Sequence, residues 1–337
     1  MRSLPSRRVF LGAVSAALLV GALSGPAAAA SADTGVTLTL VAYSTPQDAY
    51  ARLTSAFEQT LSGNGMQFST SFGASGDQSR AVAAGLDADI VAFSLEPDMT
   101  RLVSAGLVAK NWNSDSFKGM ITDSVVALAV RKGNPKHITG WNDLTKPGID
   151  VITPNPFTSG GARWNVMAAY GAQIRQGKSP RAAANYLKDL FSHVTVQNAG
   201  AREELQTFVG GKGDVMIAYE NEAIAARRMG ARIDYIIPDQ TILIENPIAV
   251  TANSRHAAQA QAVLRYLRST AGQTIFATNG YRPLLPAVAK TFHFPTPKVL
   301  FTIADFGGWD TVTKQFFDPQ TGIMAHIERD RGVSGGS

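Results

Sequence analysis

Strand-like runs alternate with helix-like runs along almost the whole chain, and few folds accommodate such a pattern. The strand-like run Val36–Ala42 is followed by a helix-like run, Pro46–Leu61, with an apolar stripe formed by Tyr50, Leu53, Phe57 and Leu61. Residues three or four apart share one face of a helix, whereas strand residues alternate between faces. Strands alternating with helices are typical of an α/β fold with mostly parallel sheets.

The same periodicity places the remaining elements. The predicted strands are Val36–Ala42, Gln67–Phe72, Asp89–Phe93, Asp123–Val130, Asp150–Thr153, Thr195–Val196, Asp214–Ala218, Arg232–Ile237 and Thr241–Val250. Further helices are predicted at Gly76–Gly85, Pro97–Ala105, after Ser159, at Pro180–Leu190 and at His256–Ser269, with a shorter one near Gln273–Ala277 closing the regular part.

Two of these strands are unusually long, and we expect the chain to pass between two lobes there. They are Asp123–Val130 and Thr241–Val250. The sequence thus predicts that residues 33–124 form the first part of lobe 1 and residues 125–245 form lobe 2. Residues 246–337 would complete lobe 1 and include a C-terminal segment. Some 300 residues suit two domains of ordinary size.

Residues 1–32 are typical of a removable export leader. They contain Arg2, Arg7 and Arg8, no acid, and an apolar run from Leu11 to Leu23. Ala28–Ala30 and Ala30–Ala32 both offer the small-residue pattern of a signal-peptidase site. Arg7-Arg8 followed by Val-Phe-Leu resembles a twin-arginine signal, and a general secretory leader is the alternative. We therefore predict a periplasmic or otherwise extracytoplasmic protein after cleavage near Ala30–Ala32.

Charge and cysteine content exclude several classes of function. The chain has 31 basic and 26 acidic residues, so losing the three leader arginines lowers the net charge from +5 to +2. A nucleic-acid binder needs a concentrated basic face, and no dense Lys/Arg run is present. With no cysteine, the chain has no disulfide, thiolate metal site or thiol nucleophile. We predict no nucleic-acid partner, no metal and no cofactor, and we expect a monomer.

Five turns from strand to helix share the residues that suit a helix start. The first backbone N–H groups of a helix lack partners within it and carry partial positive charge, so they can hold an anion. We expect Thr45 to cap the first helix with Pro46 at its first position, and Ser75 and Ser159 to cap two others. Each turn taken singly is also explained by capping. The turns are Ser44–Asp48, Gly73–Gln78, Thr158–Gly161, Asn198–Arg202 and Tyr219–Asn221.

These motifs carry a resemblance to a family. The run Asn155-Pro156-Phe157-Thr158-Ser159-Gly160-Gly161-Ala162-Arg163-Trp164-Asn165 is similar to a motif of the sulfate- and thiosulfate-binding proteins of bacterial ABC importers. Supporting matches occur in the same order over nearly the whole chain after the leader: Ala74–Gln78, Gly200–Arg202, Gly213–Ala223, Tyr281–Pro283 and Phe301–Asp310.

The resemblance implies a two-lobed type II periplasmic-binding-protein fold that holds sulfate between its lobes and delivers it to a membrane ABC permease. The matching ligand positions are Ser44, Thr45, Ser75, Ser159, Gly160, Gly161, Ala201 and Tyr219, with Gly76, Gln78, Arg163 and Arg202 behind them. Tyr219 stands where the family usually has Trp, and Asp77 where Lys is common.

Other ligands and other classes are the alternatives. Phosphate keeps a proton near neutral pH, and a site that binds it needs an acceptor for that proton, typically a carboxylate. None of the matched positions is Asp or Glu. Phosphate and molybdate remain the competing oxyanions. A secreted hydrolase is the other class, but Gly73–Asp77 misses the final glycine of a Gly-x-Ser-x-Gly elbow. Glu220 and Glu222 lie two apart on a helix and cannot face each other. The histidines are widely spread and form no metal-binding pair: His137, His193, His256, His293 and His326.

Overall fold

The computed structural model describes Gly35–Val333. The predicted leader, with its twin-arginine motif and cleavage site, and the tail Ser334–Ser337 lie outside the described residues. In the described part, no helix has both the length and the apolar character needed to cross a membrane.

The elements follow the predicted alternation of strands and helices. The strands are β1 (Val36–Tyr43), β2 (Met66–Gly73), β3 (Ile90–Ala92), β4 (Met120–Arg131), β5 (Val151–Ile152), β6 (Val194–Val196), β7 (Val215–Tyr219), β8 (Ile233–Ile236), β9 (Gln240–Val250) and β10 (Val299–Phe301). The α-helices are α1 (Gln47–Glu58), α2 (Ser75–Ala83), α3 (Glu96–Ser104), α4 (Gly160–Arg175), α5 (Pro180–Ser192), α6 (Ala201–Val209), α7 (Glu220–Arg228), α8 (Ala257–Leu267), α9 (Thr270–Thr278), α10 (Pro286–Ala289), α11 (Gly308–Phe316) and α12 (Ile323–Asp330).

The strands form a continuous curled sheet in the order β2-β1-β3-β9-β4-β7-β5-β6, with β10 paired to β9 and β8 to β4. In the first half of this order, β1 runs parallel to both β2 and β3. In the second half, β5 runs parallel to β6 and β7. The predicted α/β fold with mixed, mostly parallel pairing is confirmed.

The two long strands, β4 and β9, join the halves of the sheet. They pair with each other antiparallel, for example Val125 with Leu243. The end of β9 continues into the first half, where Ile248 pairs with Ala92 of β3. The end of β4 continues into the second half, where Val126 pairs with Tyr219 of β7. The backbone thus passes between the halves on two neighbouring strands.

Apolar residues cover both faces of each half, as parallel sheets require. On β7, Val215 and Ile217 enter one core cluster while Met216 and Ala218 enter another on the opposite face. The cluster with Val215 also contains aromatic and aliphatic residues of the C-terminal segment, namely Phe301, Trp309, Phe316 and Met324. That segment therefore packs against α4 and α5. The predicted lobe boundaries remain a prediction.

Two predictions of elements are wrong. The helix expected over Pro46–Leu61 ends at Glu58, because Thr60 donates its backbone N–H and its hydroxyl to the Phe57 carbonyl, and Leu61 is fully exposed. The chain also does not end its regular structure near Ala277, since α10, β10, α11 and α12 follow. These elements are short and bounded by Gly or Pro, so the periodicity of the sequence did not distinguish them from loops.

Candidate functional site

The five predicted turns lie at the carboxyl ends of β1, β2, β5, β6 and β7 and lead into α1, α2, α4, α6 and α7. In an α/β sheet, ligands bind beyond the carboxyl ends of strands. The turns come from both halves of the sheet, so a site between them would be built by both lobes.

Three of the turns meet around Gly161, in the first turn of α4. A Cβ atom built on this glycine would lie 3.4 Å from the Ser159 Oγ, 3.5 Å from the Ala201 Cβ and 3.5 Å from the Tyr219 Cε1. The starts of α4, α6 and α7 therefore surround one point, and the absence of a side chain at Gly161 leaves that point free.

The two turns of the first half contact these three turns, and the five turns together are called the cluster below. The backbone N–H of Gly76 donates to the Thr158 carbonyl at 3.1 Å, and this links the start of α2 to the turn before α4. A Cβ on Gly200, before α6, would lie 3.7 Å from the Ala74 Cα. The Ser44 N–H donates to the Gly73 carbonyl at 2.9 Å and ties the turn before α1 to the turn before α2.

Unpartnered main-chain donors are concentrated in this cluster. Among the described residues, no acceptor is bonded to the N–H groups of Thr45, Ser75, Gly160, Gly161 and Ala201. Most belong to the first positions of helices, where no intrahelical acceptor exists. Ser75, Gly160 and Gly161 are buried, and an unpaired buried amide costs about 1–3 kcal/mol. A bound anion would remove that cost.

Ser159 caps α4 as predicted, because its hydroxyl accepts from the Ala162 N–H at 3.3 Å. The capping role predicted for Ser75 is wrong. Ala74 is the N-cap of α2, and the Ser75 hydroxyl instead donates to the Asp98 Oδ2 at 2.6 Å. The Ser75 proton thus points away from the cluster, which leaves its N–H as the group free to bind.

The capping role predicted for Thr45 is also wrong. Helix α1 begins at Gln47 after Pro46, with no side-chain cap. The Thr45 hydroxyl instead lies 3.5 Å from the Glu222 Oε1, while the Glu222 Oε2 accepts from the Tyr219 N–H at 3.0 Å. Burial raises the pKa of Glu222 to about 7. Glu222 therefore connects the turn before α1 with the turn before α7.

Tyr219 directs its hydroxyl across the cluster to the first half of the sheet. Its oxygen lies 2.6 Å from the Ser94 Oγ, two residues beyond β3. The ring is buried, and burial raises the pKa of the Tyr219 phenol well above its ordinary value. The hydroxyl therefore stays protonated and remains a hydrogen-bond donor.

The surrounding predicted residues have separate roles. The Gln78 Oε1 accepts from the Ser71 hydroxyl at 3.2 Å, so this side chain folds back on its own turn. Arg202 pairs with Asp48 at 3.3 Å and links α6 to α1. The Arg163 Nε donates to the Pro156 carbonyl at 2.9 Å. Asp77 is exposed and pairs with Arg80.

Sequence reasoning missed Ser94, Asp98 and the position of Glu222. Asp98 holds both the Ser75 hydroxyl and Arg101, at 2.6 and 3.0 Å. Ser94 follows the predicted strand Asp89–Phe93, at the sheet edge where ligands bind, and that position was the available signal. Nothing in the sequence pairs Asp98 with a residue 23 positions earlier.

The two acids considered as a catalytic pair have separate partners. Glu220 pairs with Arg282 at 2.7 Å, so Glu220 and Glu222 face different neighbours. Gly35–Val333 contains no group of three or more His, Asp or Glu side chains placed to hold a metal ion. A groove of about 540 Å³ adjoins the cluster at Thr45 and Arg202. Its lining combines apolar side chains such as Leu205 and Val209 with the carboxyls of Asp48 and Glu222, which do not suit a compact dianion.

Comparisons with known proteins agree with this arrangement. The model of the family described as bacterial extracellular solute-binding protein matches residues 38–282. The chain is 38% identical to the sulfate-binding protein of Synechococcus elongatus, over 94% of this chain and 95% of that protein. It is 35% identical to the thiosulfate-binding protein of Pseudomonas aeruginosa, covering 92% and 96%. The structure of the sulfate-binding protein SubI from Mycobacterium tuberculosis superimposes with a TM-score of 0.82 at 46% identity, covering 84% and 100%.

Proposed function

The chain belongs to the bacterial extracellular solute-binding proteins, in the group that contains the sulfate- and thiosulfate-binding proteins, and we propose that it captures sulfate or thiosulfate between its lobes. The bound anion would be delivered to a membrane ABC permease. The ligand would be held by main-chain N–H groups and hydroxyls, without a metal ion or a cofactor.

The observation that supports this proposal most directly is the cluster of unpartnered main-chain donors. Thr45 and Ser75 supply N–H groups from one lobe, and Gly160, Gly161 and Ala201 supply them from the other. Dipoles fixed by helix starts stabilise an anion without a neighbouring salt bridge. The Tyr219 hydroxyl adds a donor of a different kind.

The energy of such a site suits a dianion stripped of water. Hydrogen bonds to a charged group contribute about 1.5–3 kcal/mol each. Half a dozen of them would contribute roughly 10–15 kcal/mol before the costs of ordering and lobe closure. A remainder of about 8 kcal/mol corresponds to micromolar binding.

Selectivity for sulfate over phosphate would come from the lack of a free acceptor. Phosphate carries a proton near neutral pH, and a site that recognises it needs an oxygen to receive that proton. Two buried carboxyls beside the cluster are already engaged, Asp98 by Ser75 and Arg101, and Glu222 by the Tyr219 N–H. Phosphate is therefore expected to bind more weakly.

We infer that the lobes divide as residues 33–124 with 246 onward, and residues 125–245, with β4 and β9 as the connection. The C-terminal helices α11 and α12 would pack on lobe 2, since their apolar residues share a core cluster with α4 and α5. Residues 1–32 would direct export by the twin-arginine route, and the exported protein would act as a monomer in the periplasm.

Isothermal titration calorimetry of the purified protein with sulfate, thiosulfate, phosphate and molybdate tests the proposal. We expect micromolar or tighter binding of sulfate or thiosulfate with one site per chain. Tight phosphate binding without heat from sulfate would reject it, and turnover of an ester substrate would favour the hydrolase alternative.

A further inference from the structure

Ser94 lies two residues after β3, and each of its polar atoms makes a hydrogen bond. Its N–H donates to the Ser75 Oγ at 2.9 Å. Its carbonyl accepts from the Trp164 Nε1 at 2.9 Å and from the Asn246 Nδ2 at 3.0 Å. Its hydroxyl lies 2.6 Å from the Tyr219 hydroxyl. Because Ser94 is only 1% exposed, these bonds are shielded from water.

Two of these bonds connect the two proposed lobes. Ser94 and Ser75 belong to the first half of the sheet and its helices, whereas Trp164 lies on α4 and Tyr219 ends β7 in the second half. The Asn246 bond reaches β9, one of the two connecting strands. Ser94 thus links both lobes and a connecting strand through one residue.

The start of α4 packs closely against Ser94. A Cβ on Gly160 would lie 2.8 Å from the Ser94 Cβ and 2.0 Å from the Leu95 Cδ2. Only glycine permits this approach. Gly160 is a buried donor of the proposed site, so the contact holds the donors of α4 at a fixed distance from lobe 1.

The chemistry of the hydroxyl pair matters for binding. Each hydroxyl has one proton and can also accept. One proton is used between the Ser94 and Tyr219 oxygens, and the other hydroxyl proton is left to donate elsewhere. The pair can therefore close the lobes and still supply a donor to an anion.

We propose that Ser94 is a positioning residue of the binding site, which latches the two lobes together through Tyr219 and Trp164 and so sets how slowly a bound oxyanion escapes. This inference rests on the proposed function. Ser94 would act by stabilising the arrangement of the lobes that the structure shows, in which Tyr219 and Trp164 contact it. Its removal should change dissociation more than association.

Stopped-flow fluorescence with sulfate tests the latch in Ser94→Ala, Tyr219→Phe and the double variant. Losing a buried hydrogen bond of about 1–1.5 kcal/mol predicts a roughly 10-fold faster dissociation in each single variant. Association should stay within about 2-fold. Since both changes remove the same Ser94–Tyr219 bond, the double variant should dissociate about as fast as the faster single variant.

Ser254→Ala is the matched control, because it removes a serine hydrogen bond to Asp89 in the same lobe, away from the cluster. It should leave both rate constants unchanged. A dissociation rate like that of the wild type in Ser94→Ala, with sulfate bound normally, would overturn the latch, and so would fully additive effects in the double variant.

Small-angle scattering of the anion-free protein separates the latch from the proposed function. We expect a larger radius of gyration in Ser94→Ala than in the wild type, whichever oxyanion the protein binds. Equal radii would overturn the latch even if sulfate binds tightly. Absence of oxyanion binding by the wild type would instead reject the proposed function alone.

Discussion

Replacing Gly161 by aspartate is expected to abolish anion binding while leaving the protein folded. A Cβ at this position meets its nearest neighbours at 3.4–3.5 Å, which is ordinary van der Waals contact. An acidic residue in the first turn of a helix also stabilises it by about 0.3–1 kcal/mol. The melting temperature of the anion-free variant should therefore equal or exceed that of the wild type.

The expected loss of affinity follows from charge. The added carboxylate would lie about 5 Å from the centre of a dianion; with an effective dielectric constant of about 20, their repulsion is about 7 kcal/mol. This corresponds to roughly a 10⁵-fold weaker affinity. Calorimetry at millimolar sulfate should then show no binding heat.

Two variants separate charge from volume and from nonspecific effects. Gly161→Asn adds nearly the same volume without charge and should weaken binding by only about 10–100-fold, the loss of one charge-assisted bond. Gly35→Asp adds the same charge at an exposed position outside the cluster and should bind as the wild type does. Affinity like that of the wild type in Gly161→Asp would refute the placement of the anion at the start of α4.

Three further outcomes are expected. The pKa of Glu222 is raised to about 7 in the folded protein, from an ordinary value of 4.5. Its contribution to the free energy of unfolding is therefore fully present below pH 4.5 and is lost as pH rises through 7. Relative to the wild type, Glu222→Gln should gain up to about 3 kcal/mol in the free energy of unfolding as pH rises from 4.5 to 8, measured by urea titration. Arg282→Met should cost about 3–5 kcal/mol in the same assay at pH 8, because it leaves the buried carboxylate of Glu220 unpaired; no loss would mean that Glu220 is neutral. Arg202→Ala breaks a partly exposed ion pair with Asp48 and should weaken sulfate binding only a few-fold, with a smaller loss of affinity at high salt. A loss of affinity beyond 100-fold in calorimetry would make Arg202 a direct ligand.

The sequence predicted the fold class and the cluster of helix starts because both depend on local pattern. Strand and helix periodicities are visible in any short window, and the run around Ser159 combines a cap with two glycines. Within each half the parallel strands end at one edge, β1 and β2 in the first half and β5, β6 and β7 in the second. The structure brings these two edges together, which the local pattern alone does not require.

The partners of the hydroxyls could not be predicted in the same way. Ser75 and Thr45 both follow the residue pattern of a cap, yet a buried carboxyl from a distant helix competes for each hydroxyl. The Ser75 hydroxyl donates to Asp98 at 2.6 Å, and the Thr45 hydroxyl lies 3.5 Å from Glu222, so neither hydroxyl caps its helix. Such competition depends on tertiary packing, which no local window contains. Ser94 was missed for a related reason, since its importance comes from four partners far apart in the chain.

The pairing of β3 with β9 has a consequence for how the protein folds. Ile90 lies opposite Val250 in this pair, so the first half of the sheet lacks its neighbouring strand until about 160 more residues have been synthesised. Contacts between residues so distant in sequence slow folding, because the loop between them must close first. An exposed β3 edge during that interval is open to pairing with another chain. Competence to bind should therefore appear late, when β9 is in place, and factors that shield the β3 edge should raise the yield of active protein.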